Sequence, residues 1–169
     1  MSSLATSLGL RASGPTTPIP SNAGFYLIFH FLFAYAVTSS RILKQYYGID
    51  HNVSPRQDSS KYGDAAVSKG KITQRQLEQL KRLEAAHANS VEHYPVFACA
   101  MLWAHITGLD AAEINYGALL NTIARVAYAA LYAFVDTPRL SQLRGLCWWA
   151  SNIICLRIFW HGTKTINKL

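Results

Sequence analysis

The sequence predicts an all-α integral membrane protein, a four-helix bundle whose helices each cross a bilayer. Three observations predict it. Half of the 169 residues are hydrophobic and only 15% are charged, whereas charged residues make up about a quarter of an average soluble domain. The charge is also uneven, with nine of the sixteen Lys and Arg residues lying between Arg41 and Arg82. The remainder holds four apolar runs near the length, about 20 residues, at which a helix spans hydrocarbon. A soluble bundle with buried helices is the alternative. Four such runs in a chain of this size exceed what one soluble core needs.

The first run, GFYLIFHFLFAYAV, lies between Ala23 and Ser40. The second is Tyr94 to Leu109, the third Ile114 to Val135 with Arg125 as its one charge, and the fourth Gly145 to His161 with Arg157. Each helix is expected to extend past its apolar centre into the headgroup region, giving spans at about 23–44, 76–109, 112–135 and 142–164. Residues 23–169 then form one transmembrane domain. Residues 1–22, rich in Ser, Thr and Pro, read as a disordered tail. They lack the charged start and compact apolar core of a secretory signal, so the first span is expected to act as its own insertion signal.

Charge sets the topology. The first link is strongly basic, the second holds only Asp110 and Glu113, and the third holds Arg139 and Arg144. The positive-inside rule places the first and third links in the cytoplasm and both termini on the far side. The net charge of +7 then marks the cytoplasmic face and its contact with anionic lipid. No aromatic-interleaved basic motif points to nucleic acid.

Inside the first link, Asp50 to Lys71 is rich in Ser, Gly and Lys and reads as loop. Thr73 then precedes a stretch of strong helix formers and is a candidate N-cap. A helix is expected from Gln74 into the second span, with Pro95 as its difficulty. Cys99, Cys147 and Cys155 all fall in apolar runs, without metal-ligand spacing, and read as packing residues.

Polar side chains inside a spanning bundle are costly and mark candidate function. On the second helix, Asn89, Glu92 and His93 are spaced i, i+3 and i+4. On the third, Arg125, Tyr128 and Tyr132 are spaced i, i+3 and i+7. Arg144 stands where the fourth helix enters. These groups could converge on a polar pocket near the cytoplasmic surface, with Arg125 and Glu92 as natural charge partners. They would equally serve as a helix-locking ion pair, an aromatic belt and a snorkelling arginine. A metal site from His87, Glu92 and His93 fits no standard spacing, and adjacent Glu and His point in different directions on a helix. No metal is expected.

The strings EAAHANSVEHYPVF, NTIARVAYAALY and SQLR, in that order, resemble the MAPEG family (membrane-associated proteins in eicosanoid and glutathione metabolism). The resemblance is greatest to the microsomal glutathione transferase-like members of its fungal and bacterial branches, and runs from about Phe25 to the C-terminus. It implies a homotrimer of four-helix bundles, with glutathione bound between neighbouring subunits near the cytoplasmic face. Lipophilic substrate would enter from the membrane.

By the same resemblance, Asn89 and Glu92 match residues that help hold glutathione, and Arg125 belongs to that polar cluster. Tyr128 and Tyr132 match positions lining the site. Arg144 matches the arginine proposed to stabilise the glutathione thiolate, with Arg139 as a rival in register. The chain also departs from the family. Ala85 stands where characterised members carry an arginine for the glutathione carboxylates, and Ala88 where some carry a second; their loss implies weaker binding, a transfer of the task to His87 or a loop lysine, or another ligand. His93 stands where Tyr is common, and Trp148 replaces a Tyr seen in one branch.

The implied activity is a membrane-bound glutathione transferase or peroxidase acting on lipophilic electrophiles or lipid hydroperoxides. Glutathione is the cofactor, Arg144 the catalytic residue, and His87, Asn89, Glu92, His93, Arg125, Tyr128 and Tyr132 the binding residues. The alternative is a non-catalytic member that binds and presents lipid. The family default location is the endoplasmic reticulum, with the mitochondrial outer membrane as the other candidate.

Overall fold

Residues 3–168 are described by the computed structural model, and among them every regular element is helical. Met1, Ser2 and Leu169, the outer ends of the expected tail and domain, lie outside the described residues. The helices are α1 (Leu4–Ser7), α2 (Ala23–Leu32), α3 (Arg41–Tyr46), α4 (Gly63–Ser68), α5 (Gln74–Ile106), α6 (Ala111–Phe134), α7 (Pro138–Ser141) and α8 (Leu143–Ile166). A π-helical turn, Phe33–Val37, carries α2 on towards α3, and a 3-10 turn, Pro55–Gln57, lies in the following link.

The long helix α5 starts at a reciprocal cap. The Gln76 backbone N–H donates to Thr73 Oγ1 at 3.3 Å, and the Thr73 N–H donates to Gln76 Oε1 at 2.7 Å, satisfying two orphan donors at once. The helix continues through Pro95. Proline offers no N–H, so the Val91 carbonyl loses its partner one turn back, a loss that packed membrane helices tolerate. The helix ends where Gly108 takes a left-handed φ of 68°, the usual way to release a helix. Asp110 immediately caps α6 by accepting the Ala112 N–H at 3.2 Å. Helices α5 and α6 are therefore antiparallel neighbours across a tight turn.

The main core lies among α2, α5, α6 and α8; α5, α6 and α8 pack on one another, and α2 packs on α5 and α6. It centres on Phe97, Ala100, Met101, Ala104, Ile114, Ala118, Cys155 and Ile158. Outside it, α2 exposes Phe25, Ile28 and Leu32, and α8 exposes Leu146, Trp149, Ile153, Leu156 and Trp160. Apolar stripes of this length are a liability in water and suit hydrocarbon. Two helical stretches, Ala23–Tyr46 and Ala111–Phe134, are long and apolar enough to cross a membrane.

The first link is more ordered than its composition suggests. Ile49, Ala66, Ile72, Leu77 and Leu80 form a second small core, flanked by Leu43, Tyr47 and Val67. Its members are too widely spaced to give a periodic signal, because α4 and the first turns of α5 bring them together only in three dimensions. The segment before Asn22, expected as a disordered tail, lies against the start of α6. Asn115, fully buried, accepts the Asn22 N–H at 2.8 Å and donates to the carbonyls of Gly9 and Pro20 at 2.8 Å each. One carboxamide thus satisfies three backbone groups of that segment.

Candidate functional site

Successive residues on α5 turn by about 100°, so the helix presents two opposed faces. Glu84, His87, Ala88, Val91 and Glu92 share one. Ala86, Ser90, His93 and Phe97 share the other and are buried.

The first face forms one wall of a groove of about 540 Å³, whose other wall is Ser39, Ser40, Arg41, Lys44, Pro55 and Arg56. His87 faces Thr38 there, with Nδ1 3.4 Å from the hydroxyl oxygen. Glu92 is exposed. Asn89 is half-buried beside this face, and its side-chain amide donates to the Ala85 carbonyl at 2.8 Å.

The second face meets α6 and α8. Arg125 is only 2% exposed. Its Nη2 donates to the Asn89 carbonyl at 3.1 Å and to Ser90 Oγ at 3.3 Å. Its guanidinium carbon lies 4.5 Å from the centre of the Tyr128 ring. Tyr128 packs on Tyr132 with ring centres 4.9 Å apart, and Arg144 stands 4.3 Å from the Tyr132 ring centre. Arg125, Tyr128, Tyr132 and Arg144 therefore form a continuous ladder, from the buried interior to the half-buried start of α8. Each cation lies over the negative face of a ring, an attraction of about 0.5–2 kcal/mol.

Arg144 has a second task. Its Nη2 donates to the carbonyls of Leu131 (3.4 Å) and Val135, at the frayed end of α6. Arg82 and Gln79 of α5 donate to the neighbouring carbonyls of Tyr132 and Ala133, at 3.3 and 3.4 Å. The Tyr132, Ala133 and Val135 carbonyls are thus met by side chains at the helix end, while the Leu131 carbonyl also accepts the Val135 N–H at 3.1 Å. Arg144 Nε is buried with no hydrogen-bond partner, as is Arg125 Nη1. Arg139, the rival in register, is exposed on α7.

The expected residues thus divide. His87 and Glu92 face the groove, while Arg125, Tyr128, Tyr132 and Arg144 form the ladder. Asn89 belongs to both through its position and its carbonyl. His93 turns into the interior, where its Nε2 is buried without a partner, so it does not share the Glu92 face. Among the described residues no ion pair joins Glu92 to Arg125. The helical turn between Ser90 and Glu92 sends the carboxylate to the groove and leaves the guanidinium to Ser90. Sequence reading missed Lys44, Arg56 and Glu84, because groove membership depends on the fold of the first link. It also missed Ser90, whose place on the His93 face was the available signal. Among the described residues no cluster of His, Cys, Asp and Glu is arranged to hold a metal ion.

A family model described as the MAPEG family matches residues 20–163. The chain belongs to the MAPEG family. The match takes in the whole groove and the whole ladder. MAPEG proteins are membrane proteins that include glutathione transferases, peroxidases and non-catalytic members, so membership makes this an apolar, lipid-contacting chain of that class. No curated protein and no solved structure matches it.

Proposed function

We propose that the protein is a membrane-bound glutathione transferase or peroxidase for lipophilic electrophiles or lipid hydroperoxides. It acts as a homotrimer of four-helix bundles, with its basic first link in the cytoplasm and the endoplasmic reticulum as its membrane. The observation that carries this reading is the division of polar groups between opposite faces of α5. The groove offers charges to hold a small polar molecule, and the ladder ends in a guanidinium with an unused donor. One chain does not bring these halves together; the groove of one copy against the ladder end of the next would. Glutathione would lie between them, with Asn89 and Glu92 among its holders and Tyr128 and Tyr132 lining the cleft.

The chemistry follows from the charges. The thiolate, not the thiol, is the nucleophile. A fixed guanidinium in a low dielectric favours the anion, and Arg keeps its charge under any condition the protein meets. Arg144 would hold the glutathione sulfur as thiolate through the positive charge of its half-buried guanidinium. With an electrophilic lipid, the sulfur forms a bond to carbon and the leaving group departs with the electron pair. With a hydroperoxide, the sulfur attacks the distal oxygen and the O–O bond breaks. The alkoxide takes a proton to become the alcohol, and a second glutathione converts the sulfenic acid to disulfide and water. The bilayer supplies the lipid at the exposed apolar helices, so orientation contributes much of the rate.

The test is calorimetry with glutathione on the detergent-solubilised protein and on Glu92→Ala and Arg144→Ala. Saturable binding that weakens in Glu92→Ala, and turnover that is lost in Arg144→Ala, is the expected result. A second reading is favoured by Ala85, Ala88 and the Arg144 Nη2 bonds to the end of α6: a non-catalytic protein that binds and presents lipid. Absence of glutathione binding in the wild type would leave that reading standing.

A further inference from the structure

The charges lining the groove are mostly committed. Lys44, 4% exposed, pairs with Glu84 at 2.5 Å and with Asp58 at 3.7 Å, and donates to the Pro55 carbonyl at 2.8 Å. Arg41 pairs with Asp50 at 3.7 Å and donates to Asn52 at 2.6 Å. Two charges remain. Among the described residues the side chains of Arg56 and Glu92, both exposed, have no hydrogen bond or ion pair. The groove therefore offers one available cation on the link side and one available carboxylate on the α5 side.

That arrangement suits a ligand with an ammonium and a carboxylate some distance apart. We propose that Arg56 is the carboxylate-recognising residue of the groove and takes the glycine carboxylate of glutathione, while Glu92 takes the γ-glutamyl ammonium. This rests on the glutathione reading above and extends it to a residue that carries specificity. The far carboxylate is the one that fits. The γ-glutamyl carboxylate shares a carbon with the ammonium and so stays beside Glu92. A cation on the opposite wall is left for the glycine end. Guanidinium is the suitable group, since its forked donors match a carboxylate in two hydrogen bonds. In this way the link supplies what Ala85 and Ala88 on α5 do not.

The backbone beneath Arg56 is held for the purpose. The Lys44 bond ends on the carbonyl of Pro55, the residue directly before it, and the proline ring fixes its own φ. Lys44 is a positioning residue. Its carboxylate partners, Asp58 of the link and Glu84 of α5, tie the two walls of the groove together.

The experiment measures binding of glutathione and of its glycine monoethyl ester to the full-length protein, wild type and Arg56→Ala. Losing one charge-assisted contact should weaken glutathione binding by about ten- to a hundredfold. The ester should bind wild type with a similar loss, and Arg56→Ala should weaken the ester no further. Arg56→Lys should recover part of the loss, and Lys44→Met should reproduce part of it. Equal glutathione binding by wild type and Arg56→Ala overturns the assignment and leaves the glutathione reading intact. An Arg56→Ala loss as large for the ester as for glutathione overturns the choice of carboxylate. No glutathione binding by wild type overturns both.

Discussion

The guanidinium of Arg144 stands over the ring of Tyr132, 4.3 Å from its centre, while its Nη2 holds the last carbonyls of α6. The same side chain thus closes a helix end while its Nε–H is buried without a partner. A residue with two tasks can be separated by the size and kind of its losses.

Arg144→Ala should lose both tasks. Removing the cap costs on the order of 1 kcal/mol of stability, whereas losing an electrostatic stabiliser of a reacting anion costs about a hundredfold or more in kcat. Tyr132→Phe keeps the ring face and should leave both nearly unchanged. Tyr132→Leu should cost about 0.5–1 kcal/mol through the lost cation–π contact and lower kcat by displacing Arg144. Thermal unfolding in detergent beside glutathione-dependent turnover checks this. A kcat unchanged by Arg144→Ala would remove its proposed role.

Arg125 is buried with two weak acceptors and one ring, and among the described residues no carboxylate pairs with it. A buried cation without an ion partner is expensive to desolvate, and an apolar residue of similar length removes that cost. Arg125→Met should therefore leave the melting temperature equal or higher. If Arg125 also serves the ligand through Asn89 and Tyr128, glutathione binding should fall in the same variant. A lower melting temperature with unchanged binding would make Arg125 a lock between α5 and α6 and nothing more.

Much of this was legible in the sequence and some was not, for physical reasons. The helix start at Thr73 was readable because a cap is local chemistry between residues three apart. The ladder Arg125, Tyr128 and Tyr132 was readable because a helical face repeats every three or four residues. Glu92 and His93 were placed on one face because i, i+3 and i+4 positions lie near one another. Yet their own separation of one residue is about 100° of turn, enough to send one to the groove and the other inside. The Lys44 network was beyond reach, since Asp58 and Glu84 meet Lys44 only after the link has folded back on α5. Asn115 likewise looks like one polar residue in an apolar run until the segment before Asn22 is seen to lie against it.

Helices α5 and α8 approach closely at Gly162. A Cβ there would come within 2.6 Å of Thr107 Oγ1 and 2.8 Å of the Trp103 indole nitrogen. That indole N–H donates to the Phe159 carbonyl at 3.1 Å. Gly162→Ala must therefore push the indole aside or separate the helices, a loss of about 1–3 kcal/mol. Gly145, with nothing near its Cβ position, serves as the control, and Gly145→Ala should be neutral or slightly stabilising. Equal melting temperatures for the two variants would mean the close contact is absent in solution.

Gly9 has a φ of 70°, which L side chains rarely adopt, and a Cβ there would lie 2.2 Å from Asn115 Nδ2. Both the backbone and the space demand glycine at this position. Gly9→Val should break the bond from Asn115 to the Gly9 carbonyl and release residues 3–22 from the start of α6. Asn115→Leu should do the same by removing all three hydrogen bonds, although leucine fills the space. Arg11 is the one tryptic site in that stretch, so limited trypsin digestion reads the release directly. Both variants should be cut at Arg11 much faster than wild type, while the groove and ladder, at the other end of α6, keep their ligand affinity. If wild type is cut as fast as the variants, Asn115 does not hold the segment against α6.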